Sequence, residues 1–202
     1  DSLAEMGAID VSEIKDKWES FTVQENGGNL IIAGSDKRGT IYGIYDFCEW
    51  LGVSPWYFFA DVPVRRRSEV VIENGYCKVD YPSVEYRGIF INDEEELEHW
   101  VWRYMGETTI GVKTYEKIFE LLLRLKLNYI WPAMHVNSFN LKQENGALAN
   151  RMGIVVGTSH CDMLMRSNNR EWKPWLAKKG YTDVEYDFSI PGRNREILKE
   201  YW

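Results

Sequence analysis

The chain has 202 residues, 45% hydrophobic and 14% aromatic, with a net charge of −7. The apolar content supports folded cores and excludes a disordered tail, and the acidity excludes nonspecific nucleic-acid binding and attraction to anionic membranes, both of which need a basic surface. No stretch approaches the roughly 20 apolar residues of a membrane span. In chain order, Val11–Ile14 reads as a short helix and Trp18–Val23 as a strand. Leu30–Ala33 reads as a buried strand, followed by a turn over Gly34–Gly39. Ile41, Ile44, Tyr45, Cys48 and Leu51 then recur at helical spacing, with Gly52 placed to cap the helix. Trp56–Phe59 is expected to be an aromatic strand, and Val62–Val64 and Glu69–Ile72 are expected to be strands. The basic run Arg65–Arg67 reads as a solvated loop. Residues 1–82 are thus expected to form a compact α/β domain, and Tyr81-Pro82 marks its end, since Pro disfavours helix before it.

A different rhythm fills residues 83–202. Arg87–Ile91 is a predicted strand, with Ile89, Phe90 and Ile91 as a buried apolar run. Thr114 is a candidate N-cap for a helix carrying Tyr115, Ile118, Phe119, Leu122 and Leu125. Tyr129–Trp131 is the second strand. Leu148–Met152 ends a helix capped by Gly153, Ile154–Val156 is the third strand, and Asn194–Trp202 is a last helix. Near-continuous apolar strands alternating with helices imply a parallel sheet. The fold class expected is α/β: a small N-terminal domain, then three β/α units of either an open sheet or a (β/α)8 barrel. A whole barrel needs about 250 residues, so one would be incomplete in this chain, which reads as a segment of something longer.

Parallel architectures bind ligands at the C-terminal ends of their strands. The first strand ends in Asn92-Asp93-Glu94, the second in Trp131-Pro132-Ala133-Met134-His135, and the third in Gly157-Thr158-Ser159-His160, followed by Asp162. Each residue has a plainer reading as a cap, a core filler or a hydrogen-bonded structural group. Three polar strand ends together favour a site. Glu95, Glu96 and Glu98 read as the exposed first turn of a helix, where acids suit the helix dipole. Three widely spaced cysteines, Cys48, Cys77 and Cys161, form neither a disulfide framework nor a metal site. The glycine loop 34–39 lacks the Lys-Ser/Thr pair of a phosphate loop, and no HExxH or GxSxG occurs. No cofactor or metal is expected, and no leader is legible at the first residues. Carboxylates beside aromatics are the vocabulary of glycoside chemistry.

Four strings, "GSDKRGTIYGIYDFCEWLGVSPWYFFADVPV", "YRGIFINDE", "YEKIFELLLRLKLNYIWPAM" and "GIVVGTSH", together resemble family 115 glycoside hydrolases, the xylan α-glucuronidases. The resemblance runs in order through nearly the whole chain. It implies an α/β domain over residues 1–82 and the first part of a (β/α)8 catalytic barrel over 83–202. It also implies removal of glucuronic acid or its 4-O-methyl ether from xylan branches with inversion, a glucuronoxylan-type polysaccharide as partner, and an extracellular or periplasmic location. A homodimer of the full-length protein is compatible with it. On this reading Asp93 is the catalytic-site carboxylate of the segment, beside Glu94. Trp131 and His135 line the pocket, His160 and Asp162 bind sugar groups, and Glu49 matches a family position at the barrel mouth. Arg166, Lys37 and Arg38 are candidate cations for the uronate. The family carries Trp where His135 stands, and His-Glu-Pro where this chain has Cys161-Asp162-Met163, so the sugar preference is open. The alternatives are a non-catalytic carbohydrate-binding remnant and a barrel hydrolase acting on another sugar.

Overall fold

A computed structural model describes residues 2–160 and 162–202, so Cys161 lies outside the described residues. The fold is mixed α/β, with small sheets and helices, and the chain divides into two compact units. One comprises the residues up to Arg87 with Glu120–Asn128, the other Gly88–Phe119 with Tyr129–Trp202.

The first unit opens with a single helical turn, α1 (Ser2–Glu5), and is built on an antiparallel sheet of order β2-β1-β3, from β1 (Phe21–Asn26), β2 (Asn29–Gly34) and β3 (Cys77–Asp80). The Gly27-Gly28 pair, both at positive φ, closes the β1–β2 hairpin. Helix α2 (Lys37–Trp50) packs on this sheet. Asp36 caps it by accepting from the Gly39 amide at 2.8 Å, and also accepts from the Glu19 amide at 2.7 Å. At its other end Gly52, at φ 103, accepts the left-handed turn as predicted. Glu19 is buried and gathers Arg38, Arg87 and the Asn128 side chain. Lys126 bridges Asp46 and Asp80 at 2.7 and 2.6 Å.

Three expected strands are absent here. Trp56–Phe59 forms turns, and Val62–Val64 and Glu69–Ile72 join no strand ladder among the described residues. Four aromatics in a row satisfy strand propensity, but turn bonds such as Tyr57 N to Ser54 O and Ala60 N to Trp56 O close the backbone locally instead. Val11–Ile14 is likewise a turn rather than a helix.

The second unit carries a parallel sheet of order β4-β5-β6, from β4 (Gly88–Phe90), β5 (Tyr129–Trp131) and β6 (Val155–Val156), with Ile89 opposite Ile130 and Phe90 opposite Trp131. Its helices are α3 (Glu95–Trp100), continued by a π-helix at Val101–Met105, α4 (Val112–Arg124, whose last turns belong to the first unit), α5 (Gln143–Met152), α6 (Trp172–Lys179) and α7 (Arg193–Tyr201), with a hairpin of β7 (Asp162–Met163) and β8 (Arg166–Ser167). Tyr115, Phe119 and Phe139 form an aromatic core, the first and last edge-to-face at 4.8 Å. A second cluster gathers Trp172, Ile197, Leu198 and Tyr201. Gly153, at φ 73, caps α5.

Two expectations fail in this unit. Thr114 does not cap α4, which starts at Val112; its hydroxyl and amide instead donate to Glu107, at 2.6 and 3.0 Å. The apolar run of β4 is not buried throughout. Alternate strand residues point to opposite faces. Ile130 is fully buried on one face, while Phe90 (45%) and Trp131 (41%) are exposed on the other, edge-to-face at 6.2 Å.

Candidate functional site at the strand ends

Beyond Phe90 the parallel ladder makes one more bond, Ile91 N to Trp131 O at 2.9 Å, and then Asn92 leaves it. The chain turns, and Asp93 enters the protein. Its side chain is only 1% exposed. The turn that follows β5 presents three successive amides to it: His135 N reaches Oδ1 at 3.1 Å, while Val136 N and Asn137 N reach Oδ2 at 2.6 and 2.5 Å. Asn137 Nδ2 adds a fourth donor to Oδ2 at 3.2 Å. Consecutive amides of this kind form an anion-binding nest. Oδ2 is therefore saturated, whereas Oδ1 has one donor and a lone pair to spare.

Asn137 connects more than this. Its Nδ2 also donates to Glu98 of α3, and its Oδ1 accepts from the Thr109 hydroxyl. Nothing in the sequence singles out Asn137 or Thr109, and the sequence pattern puts Glu98 in a solvated turn. The structure corrects that reading: Glu98 is only partly exposed and is bonded to Asn137, while Glu95 and Glu96 are exposed as expected. A side chain that bonds across some 40 positions of sequence leaves no local signal.

Glu94, Glu95, Glu96, His135 and Val136 line an open cavity of about 510 Å³. The structure thus brings Asp93, Glu94 and His135 to one place. Trp131 lies on the exposed sheet face beside Phe90, with its indole N–H donating to the Tyr129 hydroxyl at 3.2 Å. His160 is exposed, and the neighbouring Ser159 hydroxyl lies 3.0 Å from the Met134 sulfur. Asp162 is 3% exposed, and its Oδ1 has no hydrogen-bond partner among the described residues. Burial pushes its carboxyl up to about 6, against a smaller lowering by the Ser167 side chain; Glu171 and Asp93 add to the rise.

The candidate cations are largely engaged elsewhere. Arg166 lies 4.4 Å from the Tyr201 ring and 3.8 Å from Glu171. Arg38 pairs with Glu19 at 2.6 Å. Lys37 is exposed on the first turn of α2. Glu49 belongs to the first unit, in a cavity with Trp56 and Arg124. Another cavity of about 410 Å³ in that unit is lined by Tyr42, Tyr81, Arg87 and Lys126, but its Arg87 and Lys126 are already paired with acids.

Comparisons with known proteins bear on the family of the chain. Residues 79–202 match the model of glycosyl hydrolase family 115. Among solved structures, the chain is similar to a family GH115 4-O-methyl-α-glucuronidase, BtGH115A, described as having specificity for decorated arabinogalactans. The two are 37% identical with a TM-score of 0.86 over 99% of this chain and 26% of that one. The chain therefore spans about a quarter of the length of that relative. A search of curated proteins gave no match. A family model covering more than half of the chain, together with that structural likeness, settles the assignment: the chain belongs to glycosyl hydrolase family 115.

Proposed function

We propose that this chain is the front part of a glycoside hydrolase that removes glucuronic or 4-O-methylglucuronic acid branches from a decorated polysaccharide, with inversion at the anomeric carbon. The observation that carries the reading is the Asp93 nest: a carboxylate held by four donors at the end of a parallel strand, beside an open cavity. Residues 1–82 are read as an N-terminal α/β domain, and residues 83–202 as the first three β/α units of a (β/α)8 barrel, whose sites form at this end of the strands.

Inversion needs two carboxyl groups roughly 6.5–9.5 Å apart, one giving a proton to the leaving oxygen and one activating water. Asp93 is the carboxylate assigned to this chain, and its Oδ1, with one donor against three on Oδ2, is the atom assigned to take a proton from water or a sugar hydroxyl. We place the second carboxylate in the part of the protein that this chain does not match in its relative. His135 and Trp131 line the pocket. Glu94, His160 and Asp162 meet sugar hydroxyls, with Glu49 at the mouth and Arg166 toward the uronate. The resemblance points to glucuronoxylan, and the solved relative to decorated arabinogalactans, so the substrate class is a neutral polysaccharide bearing uronate branches.

The test uses the intact protein on glucuronoxylan and on a uronate-decorated arabinogalactan, with released uronic acid measured by chromatography and the anomer by NMR. The reading expects release of the β-anomer, and a loss of about 10³-fold or more in Asp93→Ala, within the range set by acid–base groups and their positioning. No uronic acid from either polymer, or full activity in Asp93→Ala, defeats it.

A further inference from the structure

The two oxygens of Asp93 are treated unequally. Oδ2 accepts from Val136 N, Asn137 N and Asn137 Nδ2 at 2.6, 2.5 and 3.2 Å, whereas among the described residues Oδ1 accepts from His135 N alone, at 3.1 Å. Two of the three bonds on Oδ2 come from one residue. Bonds to a carboxylate are charge-assisted and short, so this set holds the group in one orientation.

Asn137 is itself oriented by what it touches. Its Nδ2 carries two hydrogens, and two carboxylates take them, those of Asp93 and Glu98. Its Oδ1 accepts from the Thr109 hydroxyl. Flipping the amide would set its oxygen against both carboxylates, so one orientation is selected. Thr109 stands on a fixed stretch of chain. Its neighbour Ile110 is buried, and Glu107 reaches forward to the Lys113 and Thr114 amides at the start of α4, at 3.1 and 3.0 Å. Hydroxyl, amide and carboxylate thus form a line from the start of α4 to the end of β4, all within the second unit.

Stability alone would be served by any partner for each of these groups. A line in which every donor and acceptor is assigned specifies a direction as well. Resting on the hydrolase reading above, we propose that Asn137 and Thr109 are positioning residues for Asp93. The Thr109 hydroxyl holds the Asn137 amide, and the amide holds Oδ2, so that Oδ1 is the oxygen offered to water or a sugar hydroxyl.

The experiment uses the intact protein as wild type, Asn137→Ala, Thr109→Val and Thr109→Ser, with Asp93→Ala alone and joined to Thr109→Val. Uronic-acid release from a decorated polymer gives kcat and KM well below each unfolding midpoint. Hydrogen–deuterium exchange read by mass spectrometry follows the backbone amides of residues 135–137. Asn137→Ala is expected to lose about 10²-fold in kcat and Thr109→Val about tenfold, as a misplaced reacting group does, with KM within about twofold of wild type. Thr109→Ser keeps the hydroxyl and is expected to keep kcat near wild type. In the Asp93→Ala background Thr109→Val costs nothing further, because its effect passes through Asp93. Both Asn137→Ala and Thr109→Val speed exchange at residues 135–137.

The proposal is overturned if kcat is unchanged in Asn137→Ala and Thr109→Val, or if Thr109→Ser is as slow as Thr109→Val. A further tenfold loss from Thr109→Val in the Asp93→Ala background overturns it too. If the wild type releases no uronic acid from any polymer, the hydrolase reading fails instead. The exchange measurement then decides alone, and unchanged exchange in both variants shows that Thr109 and Asn137 do not hold Asp93.

Discussion

Asn137 is the residue on which the site's geometry rests. It is 9% exposed and gives both side-chain atoms to partners: Nδ2 to Asp93 and Glu98, Oδ1 to Thr109. Hydrogen bonds to charged groups contribute about 2 kcal/mol each, and a buried partner left without one costs a similar amount. Asn137→Ala is therefore expected to lower unfolding free energy by about 2 kcal/mol or more in urea titrations, and Asn137→Asp to lower it further at neutral pH, since it places a third carboxylate beside two. An Asn137→Ala protein as stable as wild type would show that these bonds hold nothing. Asp162 makes a different prediction. Its folded carboxyl titrates near 6, above its unfolded value, so between about pH 4 and 6 the folded state holds more protons than the unfolded one. Stability then falls as pH rises through that window, and the loss is complete above it. Asp162→Asn removes the group, so the variant should be more stable than wild type at pH 7 and the difference should vanish toward pH 4. Paired melting curves at the two pH values measure this. A pH-independent difference contradicts it.

Among the elements, the third strand end shows how tightly the sheet is fitted. A methyl group on Gly157 would fall 1.7 Å from the Tyr129 hydroxyl and 3.0 Å from the Trp131 indole nitrogen. Gly157→Ala must therefore push Tyr129 aside and break its bond to Trp131, at a cost of about 1–3 kcal/mol for overpacking. Tyr129→Phe in the same chain removes the clashing oxygen and should return part of that loss; a double variant no more stable than Gly157→Ala would refute the clash. This element was legible beforehand because apolar runs bounded by glycine name their own ends. Tyr129–Trp131, Gly153 and the α2 helix with Gly52 all fell where spacing put them. The aromatic run Trp56–Phe59 did not become a strand, because propensity says nothing about whether a partner strand lies alongside. Thr114 looked like a cap because its residue type is right, but the true start was set by Glu107, whose carboxylate reaches the Lys113 and Thr114 amides. The site divided in the same way. Asp93 and His135 were visible as strand-end residues. Their fastening through Asn137, and the role of Glu98 in it, depend on contacts between distant segments.

For the whole molecule, charge sets a constraint that no single contact removes. The chain carries −7, the cavity beside Asp93 has three glutamates and one histidine among its lining residues, and Arg38, Arg87, Arg124 and Lys126 are each paired with acids. On the function proposed above, the substrate's uronate branch is an anion that would have to reach the strand ends past that rim. Exposed charges a few ångströms apart interact by about 1 kcal/mol in water, and salt shortens their reach to about 10 Å at 0.1 M and 3 Å at 1 M. Glu95 and Glu96 are exposed and make no contact assigned to substrate. Converting both to glutamine should therefore lower KM for a uronate-bearing substrate by roughly threefold to tenfold at 20 mM salt, while kcat is unchanged, and the advantage should shrink to less than twofold near 1 M. Neutral oligosaccharides should bind the variant and the wild type alike at every salt concentration. If the variant's KM is unchanged or higher at low salt, the rim is not what the uronate passes, and the route to Asp93 lies elsewhere on the molecule.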